Sequence, residues 1–308
     1  MVSTSLNKYI SGYVIIGQVE FPPIISSQYH SSRKFNIDNN NYTEEIQNFL
    51  NSPCPMEWPI KHIKPKEVRE EVAKHNSKKS PGYDCITGRV IQNLSKKAIL
   101  YLTFIFICIL RLNHVPSQWK CAEVIMIYKP GKPENDVTLY RPISLLVILS
   151  KIFGRIFRRR MQPILEKANT IPEYQLTYYR IIYYIRKSLE SKKYCSVVFL
   201  DVQQAFDKVW HEGLLFKLKK LLPTHFYLIL KSYLSNRHYY VKYSRAYSNI
   251  FKINAGVPLG SVLGPVLYTI FTSDLPVIGN ILVATYANDT DLLYAAEIVQ
   301  MYTSITTK

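Results

Sequence analysis

The sequence has few cysteines, and their spacing suits neither a disulfide framework nor a zinc site. The chain has five cysteines in 308 residues, an odd number, and no two form a Cys-x-x-Cys pair. Secreted disulfide scaffolds and structural zinc sites both need closely spaced sets of ligands. We therefore expect a protein of a reducing compartment, the nucleus and/or the cytoplasm. The five are Cys54, Cys85, Cys108, Cys121 and Cys195.

Long apolar segments and a secretory leader are also missing. The longest apolar run, residues 98–110, has about 13 residues, whereas a membrane-spanning helix needs about 20. No basic-then-apolar segment opens the chain, so secretion is not expected. We interpret residues 98–110 as a buried helix and expect no membrane partner.

Acidic residues are scarce relative to basic ones. Lys and Arg number 39 against 22 Asp and Glu, which gives a formal net charge of +17. Hydrophobic residues make up 47% of the chain, which excludes a disordered protein. A positive surplus of this size favours a polyanionic partner, and nucleic acid is favoured over a membrane surface. The alternative is that the basic residues only solvate the surface.

The one Gly-Lys pair that could suggest a nucleotide-binding loop does not fit. Gly131-Lys132 is followed by Pro133 instead of Ser or Thr, and the earlier glycine of a Walker loop is absent. This sequence does not predict a P-loop nucleotidase.

Strand and helix patterns alternate without a regular βαβ period, so the predicted fold class is α+β. A helix is predicted from Ser144, as N-cap, through the apolar-periodic segment that follows. Another is predicted from the leucines of 214–222. The predicted strands are 124–128, 195–200, 239–243 with 251–254, and 281–286 with 291–294.

Two of these strands deliver acidic side chains at their ends. Asp201 follows the apolar run 195–200, and Asn288-Asp289 forms the tip of the predicted 281–294 hairpin. Nucleotide addition by two divalent ions requires carboxylates from separate segments. The alternative is structural: Asp201 caps the next helix, and Asn288-Asp289 is an ordinary hairpin turn.

A series of motifs along residues 64–294 gives this sequence a resemblance to a known family. The sequence resembles the reverse transcriptase domain of non-LTR retrotransposons, and is most like the jockey-like elements of arthropods. The motifs are Lys79-Ser80-Pro81-Gly82-Tyr83-Asp84, Trp119-Lys120, Tyr128-Lys129-Pro130-Gly131-Lys132, Tyr140-Arg141-Pro142-Ile143-Ser144-Leu145, Phe199-Leu200-Asp201 through Trp210-His211, residues 255–265, and Tyr286-Ala287-Asn288-Asp289.

The resemblance implies an RNA-directed DNA polymerase with the fingers and palm of a right-hand polymerase and an antiparallel palm sheet packed on helices. The sequence stops before the part that matches the family's thumb, so we expect the thumb to be missing. It implies an RNA template, a DNA primer, deoxynucleoside triphosphates and Mg2+, with Mn2+ as a substitute. The expected division is 1–60 as a leader or linker remnant, 61–190 as fingers, and 191–308 as palm, truncated before the thumb. Nothing in the sequence indicates an oligomeric state.

The same resemblance assigns roles to individual positions. Asp201 and Asp289 are expected to bind the metal, and Asn288 stands where the family has another catalytic aspartate. Expected nucleotide-binding residues are Lys129, Arg141, Phe206, Leu259 and Gly260. Each has a structural alternative: a core aromatic for Phe206, solvated charges for Lys129 and Arg141, and turn or packing geometry for Gly256, Gly260 and Gly264.

Two of these positions depart from the family pattern. Asn288 lacks the charge of aspartate, and a unit charge about 4 Å from a cation is worth about 4 kcal/mol at an effective dielectric near 20. That energy corresponds to about a thousandfold in rate. Leu259 replaces a glutamine. We therefore expect a decayed or truncated copy, either an impaired polymerase, an inactive nucleic-acid-binding remnant, or a fragment without a settled fold.

Overall fold

The computed structural model describes residues 40–128, 140–168, 177–201, 205–243, 246–274, 281–286 and 289–296. These residues fall into two compact units. The first, called here the three-stranded unit, takes its described residues from 171–205 and 272–308. The second, called the larger unit, takes them from 36–170 and 206–271. Both contain helices and a sheet, which agrees with the predicted α+β class.

The three-stranded unit is an antiparallel sheet with one helix against it. Its order is β3-β8-β7, and α6 contacts β3 and β7. The predicted strand at 195–200 and the hairpin at 281–294 are confirmed, but Asp289 is the first residue of a strand and not part of the tip. The continuous apolar run 195–200 is typical of a strand covered on both faces, but the described side chains of β3 are half-buried or exposed, and β3 lies at the edge of the sheet that the described residues form. The elements are α6 (Thr177–Glu190), β3 (Tyr194–Asp201), β7 (Leu282–Tyr286) and β8 (Asp289–Ala296).

The larger unit combines helices with a mixed five-stranded sheet of order β2-β1-β4-β5, in which β6 also pairs with β4. Strand β1 runs parallel to β4 and antiparallel to β2. Its helices are α1 (Asn40–Asn51), α2 (Pro65–Ala73), α3 (Gly88–Gln92), α4 (Lys96–Leu112), α5 (Ile148–Lys167), α7 (His211–Leu221), α8 (Thr224–Leu234) and α9 (Gly264–Phe271). Its strands are β1 (Cys121–Tyr128), β2 (Tyr140–Leu145), β4 (Arg237–Tyr243), β5 (Ala246–Tyr247) and β6 (Phe251–Ile253).

A chain of aromatic contacts holds the core of the larger unit together. Phe106 on α4 lies 5.5 Å, centroid to centroid, from Phe153 on α5. Phe153 stacks on Phe157 at 5.8 Å, and Phe157 lies 5.2 Å from Phe226 on α8. Such pairs add roughly 0.5–1.5 kcal/mol each beyond the burial of their area. Helices α4, α5 and α8 are therefore locked together.

The predicted helix start at Ser144 is wrong. Ser144 lies in β2, opposite Val124 of β1, and helix α5 begins at Ile148. Because the backbone of Ser144 is part of the ladder with β1, pairing in the folded chain prevails over a local capping signal. Pro142 fits the same strand because β2 is the outer strand on this side of the sheet, where a missing N–H is tolerated.

Part of the segment interpreted as a leader or linker remnant is packed into the larger unit. Ile46 of α1 is 1% exposed, and the Phe49 ring lies 5.0 Å from that of Phe216. The Lys219 ammonium donates to the carbonyl oxygens of Phe49 and Ser52 at 2.6 and 2.7 Å. Within 1–60, therefore, the described part is not a linker. The division into fingers at 61–190 and palm at 191–308 stays a prediction.

The apolar run 98–110 forms α4, but only one of its faces is buried. Ile99, Phe106 and Ile109 are 3% exposed or less, whereas Tyr101 and Phe104 are more than 60% exposed. The predicted helix is therefore confirmed, and its burial holds for one face only. In the described ranges, the structure contains no helix that is both long and apolar enough to span a membrane.

Candidate functional site

The acidic positions of the three-stranded unit are brought together by strand pairing. Asp201 is the last residue of β3, and Asp289 is the first residue of β8. The two are directly opposite each other in the antiparallel ladder, and Tyr286 of β7 is opposite Asp289 on its other side. Directly opposed residues in such ladders have Cβ atoms roughly 4.5–5.5 Å apart. Two acidic positions far apart in sequence are thus neighbours at one end of the sheet.

The register that creates this pairing is fixed by the apolar core. Leu293 of β8 is 0% exposed and is paired with Val197 on one side and Leu282 on the other. A slip by one residue would turn every side chain of a strand to the opposite face and would expose Leu293. Burial of this leucine therefore also keeps Asp201 opposite Asp289.

Asp291 is an acidic position that the sequence interpretation did not include. It lies two residues after Asp289 on β8, opposite Phe199 of β3 and Ala284 of β7. Residues two apart in a strand belong to the same face. From the sequence, Asp291 was predicted only as the first residue of a strand. Its two-residue spacing from Asp289 is the signal that could have identified it as a further acidic site residue.

Asn288 and Lys129 lie outside the described residues. Across the part of the chain that the structure describes, no group of three or more His, Cys, Asp or Glu side chains is arranged to hold a metal ion. What the structure offers for a divalent ion is the opposed pair of aspartate positions, Asp201 and Asp289, whose carboxylates are of the hard-oxygen type that Mg2+ prefers. The chemistry of these positions fits the ion expected from the sequence.

In the larger unit, the segment that carries Phe206 is bonded to the Gly256 segment. The N–H of Val257 donates to the Phe206 carbonyl at 2.7 Å, and the N–H of Gly256 donates to the Val209 carbonyl at 2.8 Å. The Phe206 ring itself lies 4.8 Å from that of Tyr268 on α9. Phe206 is half-buried, so its ring is both a packing residue and partly accessible.

Gly256 is required by its conformation. Its φ is +93°, and a Cβ at this position would lie 2.7 Å from the Asp207 carbonyl oxygen. L-residues with side chains rarely adopt such a φ, and the contact with backbone leaves no room for a methyl group. The structural alternative therefore accounts for this glycine without a ligand.

His211 fixes the same segment. In the sequence it stood out only as the last residue of the family motif that begins at Phe199. Its Nε2 lies 2.7 Å from the Gly256 carbonyl oxygen, and because a carbonyl can only accept, Nε2 carries the proton. Burial lowers the pKa of His211, the bond to Gly256 raises it, and the nearby Arg237 lowers it further. His211 is therefore a neutral donor that positions the loop.

Leu259 and Gly260 form the centre of a tight turn. The N–H of Ser261 donates to the Pro258 carbonyl at 3.1 Å, and Gly260 has a φ of +94°, which is the third-position geometry of a type II turn. Leu259 is 40% exposed at the tip. The Ser261 hydroxyl accepts from the N–H of Gly264 at 2.8 Å and so starts α9.

This turn is adjacent to the strand that carries Arg141. A Cβ at Gly260 would lie 3.1 Å from the carbonyl oxygen of Ser144 in β2. Arg141, in the same strand, is opposite Ile127 of β1. Within the larger unit, the segments that carry Arg141, Phe206 and Leu259-Gly260 are therefore neighbours, while their nucleotide-binding roles stay predictions.

The comparisons with known proteins identify the family. A family model described as "Reverse transcriptase (RNA-dependent DNA polymerase)" matches residues 127–301. A probable RNA-directed DNA polymerase from transposon BS of Drosophila melanogaster is 42% identical over 82% of this chain and 30% of its own length. The RNA-directed DNA polymerase from mobile element jockey of the same species is 38% identical over 84% of this chain and 30% of its own length.

Among solved structures, a telomerase from Candida tropicalis in complex with a fragment of telomeric RNA is similar, with a TM-score of 0.43 and 11% identity. The match covers 69% of this chain and 42% of that one. The chain spans about 30% of the length of the curated relatives above. Because the family model matches more than half of it, the chain belongs to the reverse transcriptase family.

Proposed function

We propose that this chain supplies the polymerising core of an RNA-directed DNA polymerase of a jockey-like non-LTR retrotransposon. Its substrates are an RNA template, a DNA primer and deoxynucleoside triphosphates. The observation that carries the proposal is the direct pairing of Asp201 with Asp289 inside the stretch that matches the family model. We assign the three-stranded sheet with its helix to the palm of a right-hand polymerase and place the protein in the nucleus and/or the cytoplasm.

In this proposal Asp201 and Asp289 hold the divalent ions, Mg2+ or Mn2+. When bound, such ions neutralise charge on the triphosphate and lower the pKa of the attacking primer hydroxyl. The two residues would supply carboxylate oxygens from opposed positions of the ladder. Fixed oxygens need no rearrangement at the moment of reaction, which is where preorganised electrostatics contribute to rate.

In the larger unit, we assign Arg141 and Lys129 to the triphosphate. Arginine contacts phosphate with two parallel N–H donors, and lysine acts as a point charge. Phe206 is assigned to the sugar, where its ring excludes a 2′-hydroxyl by bulk. Its half-buried state and its contact with Tyr268 support a ring that is packed in place and still partly accessible.

The test is primer extension on an RNA template with Mg2+ and, separately, Mn2+. We expect slow, metal-dependent extension by the unmodified chain and none by the Asp201→Asn variant, which keeps the size of the side chain and removes its charge. Equal rates for the two proteins would contradict the assignment of Asp201. Thermal unfolding of both proteins shows whether a loss of extension comes from a loss of fold.

A second candidate is a nucleic-acid-binding protein without polymerase activity, and Asn288 is the observation that favours it. It predicts salt-sensitive RNA binding and no extension with either metal. The two candidates are separated by the same pair of measurements on one preparation.

A further inference from the structure

A basic depression lies on the surface of the larger unit, and Val262, which follows the turn at Leu259-Gly260, is part of its lining. It has a volume of about 500 Å³ and is called here the basic basin. One side comes from the end of α2 and the loop that follows it, and the other side comes from α5. Its charged and polar lining residues are Glu71, Lys74, His75, Asn76, Lys79, Arg155, Arg158, Arg159 and Gln162.

Two segments of the sequence build the basin, the arginine-rich stretch of α5 and the loop that contains Lys79. Arg155, Arg158 and Arg159 are three and four residues apart, so they share one face of α5. Lys79 opens the motif whose Gly82 packs on the chain just before α5. A Cβ at Gly82 would lie 2.7 Å from the backbone nitrogen of Val147. Only glycine permits this contact, which keeps the loop beside the first turn of α5.

A buried carboxylate orders two of the arginines. Glu71 is 2% exposed, and its Oε2 accepts from Arg155 Nε at 2.7 Å, while its Oε1 accepts from Arg159. The Glu71 backbone carbonyl also accepts from Arg155 at 3.0 Å. Arginine has five N–H donors, so these bonds leave others for a ligand. The Arg159 side chain is 50% exposed.

The remaining cations are without a counter-charge. Lys74, Lys79 and Arg158 are exposed, and in the described ranges none of them forms an ion pair. The basin thus holds five basic side chains and one carboxylate, which two arginines already share. Like charges held this close repel one another, and an anion bound among them would relieve the repulsion.

The pKa values of two neighbouring groups are lowered in part by these positive charges. Burial lowers the pKa of His75, and so do the nearby Arg155, Lys151 and Lys79. Burial also lowers the pKa of Lys151, Lys79 and Arg155 lower it further, and Asp84 acts in the opposite direction. His75 is 3% exposed, and its Nε2 is buried without a hydrogen-bond partner among the described residues. The basin is therefore an electropositive site.

We propose that the basic basin binds the phosphodiester backbone of single-stranded RNA, with Lys74, Lys79 and Arg158 each contacting a phosphate. The proposal deepens the proposed function, since it names where the RNA substrate is held. Among its lining residues only His75 is aromatic, and it is buried, so there is no platform for a base. Its single carboxylate is occupied, so a metal-bound triphosphate gains no ligand here. Recognition is consequently independent of sequence.

The test compares two triple variants of the full chain with equal loss of charge. The first is Lys74→Gln/Lys79→Gln/Arg158→Gln in the basin. The control is Lys96→Gln/Lys97→Gln/Arg111→Gln, three exposed residues of α4 outside the basin. Binding of a fluorescein-labelled single-stranded RNA is followed by fluorescence anisotropy over a range of KCl concentrations.

We expect the log–log salt slope of the basin variant to fall in magnitude by about 2, because each phosphate contact on a single strand contributes about 0.7. At 0.1 M salt this corresponds to a loss of affinity on the order of a hundredfold. The control variant should keep the slope of the unmodified chain. Equal losses in the two variants, or an unchanged slope in the basin variant, would overturn the proposal.

A second measurement distinguishes whether the basin binds the phosphates of RNA or those of a nucleotide. A labelled deoxynucleoside triphosphate is titrated against the same proteins. If the basin variant loses nucleotide binding but keeps its RNA slope, the site belongs to the nucleotide and the backbone proposal is wrong. Circular dichroism and thermal unfolding confirm that both variants fold. RNA binding is measured without DNA synthesis, so a negative result in this experiment does not contradict the proposed polymerase activity. Conversely, if the basin binds RNA and no primer is extended, only the polymerase activity is contradicted.

Discussion

The two units of this chain place charge by different means. In the three-stranded unit, strand pairing puts Asp201 opposite Asp289, in a register that burial of Leu293 maintains. In the larger unit, a buried carboxylate, Glu71, holds Arg155 and Arg159 in place. The ladder positions groups that repel each other, whereas side-chain pairing positions groups that attract. We therefore expect substitutions in the first unit to change chemistry, and substitutions in the second to change stability or binding.

The largest expected effect is on catalysis. Asn288→Asp restores a negative charge at the position where the family has aspartate, and we expect primer extension to rise by about a thousandfold, from about 4 kcal/mol of restored attraction. RNA affinity should change little. Extension rates with Mg2+ check this, and the Asp201→Asn change in the same background should abolish the gain. A rate that does not rise would remove the explanation of impairment by Asn288.

A change at Glu71 tests the other unit. Glu71→Gln removes the charge that both arginines share, and we expect the free energy of unfolding to fall by about 2–3 kcal/mol, less than a fully buried pair because Arg159 is half exposed. Urea unfolding measures it. Glu190→Gln is the matched control, since its pair with Arg186 is exposed on both sides and should contribute less than about 0.5 kcal/mol.

Backbone geometry gives the next effect. Gly256→Ala forces a methyl group against the Asp207 backbone at a positive φ, and we expect a loss of about 1–3 kcal/mol in unfolding free energy. Gly154→Ala in α5 is the control. Its Cβ would make an ordinary 3.4 Å contact with Val262, and alanine is favoured over glycine in a helix. A similar loss in both variants would mean that the φ of Gly256 is not the cause.

A smaller effect depends on pH. The folded-state pKa of His211 lies below its unfolded value, so the unfolded chain binds the proton more readily. The stabilising contribution is complete above the unfolded pKa, about 6.5, and is lost as pH falls below it. We expect His211→Gln to flatten the decline of unfolding free energy between neutral and mildly acidic pH. An identical pH profile for the variant would contradict the buried, neutral histidine.

The smallest expected effect is at the turn. Leu259→Gln changes an exposed side chain at the tip, and we expect the free energy of unfolding to change by less than about 0.5 kcal/mol. Combined with Asn288→Asp, it should raise extension further if position 259 contacts the nucleotide. Thermal unfolding and the apparent KM for nucleotide together measure both consequences.

The sequence predicted the strands of both units because their apolar runs are continuous or alternate regularly, as in 195–200 and 281–286. It did not predict the partner of each residue, because register depends on which leucine is buried, here Leu293. Ser144 misled the prediction since pairing with β1 outweighs a local cap. The role of Glu71 could not be predicted either, because the arginines that it pairs with lie more than 80 positions away along the chain.

Pro142 has a consequence for association between molecules. It sits in the outer strand β2, opposite Met126, where a proline offers no amide hydrogen. Proline on an edge strand is one of the means by which natural proteins discourage pairing with a further strand. The same residue that completes a family motif thus also discourages edge-to-edge aggregation of a sheet rich in tyrosine and branched aliphatic side chains.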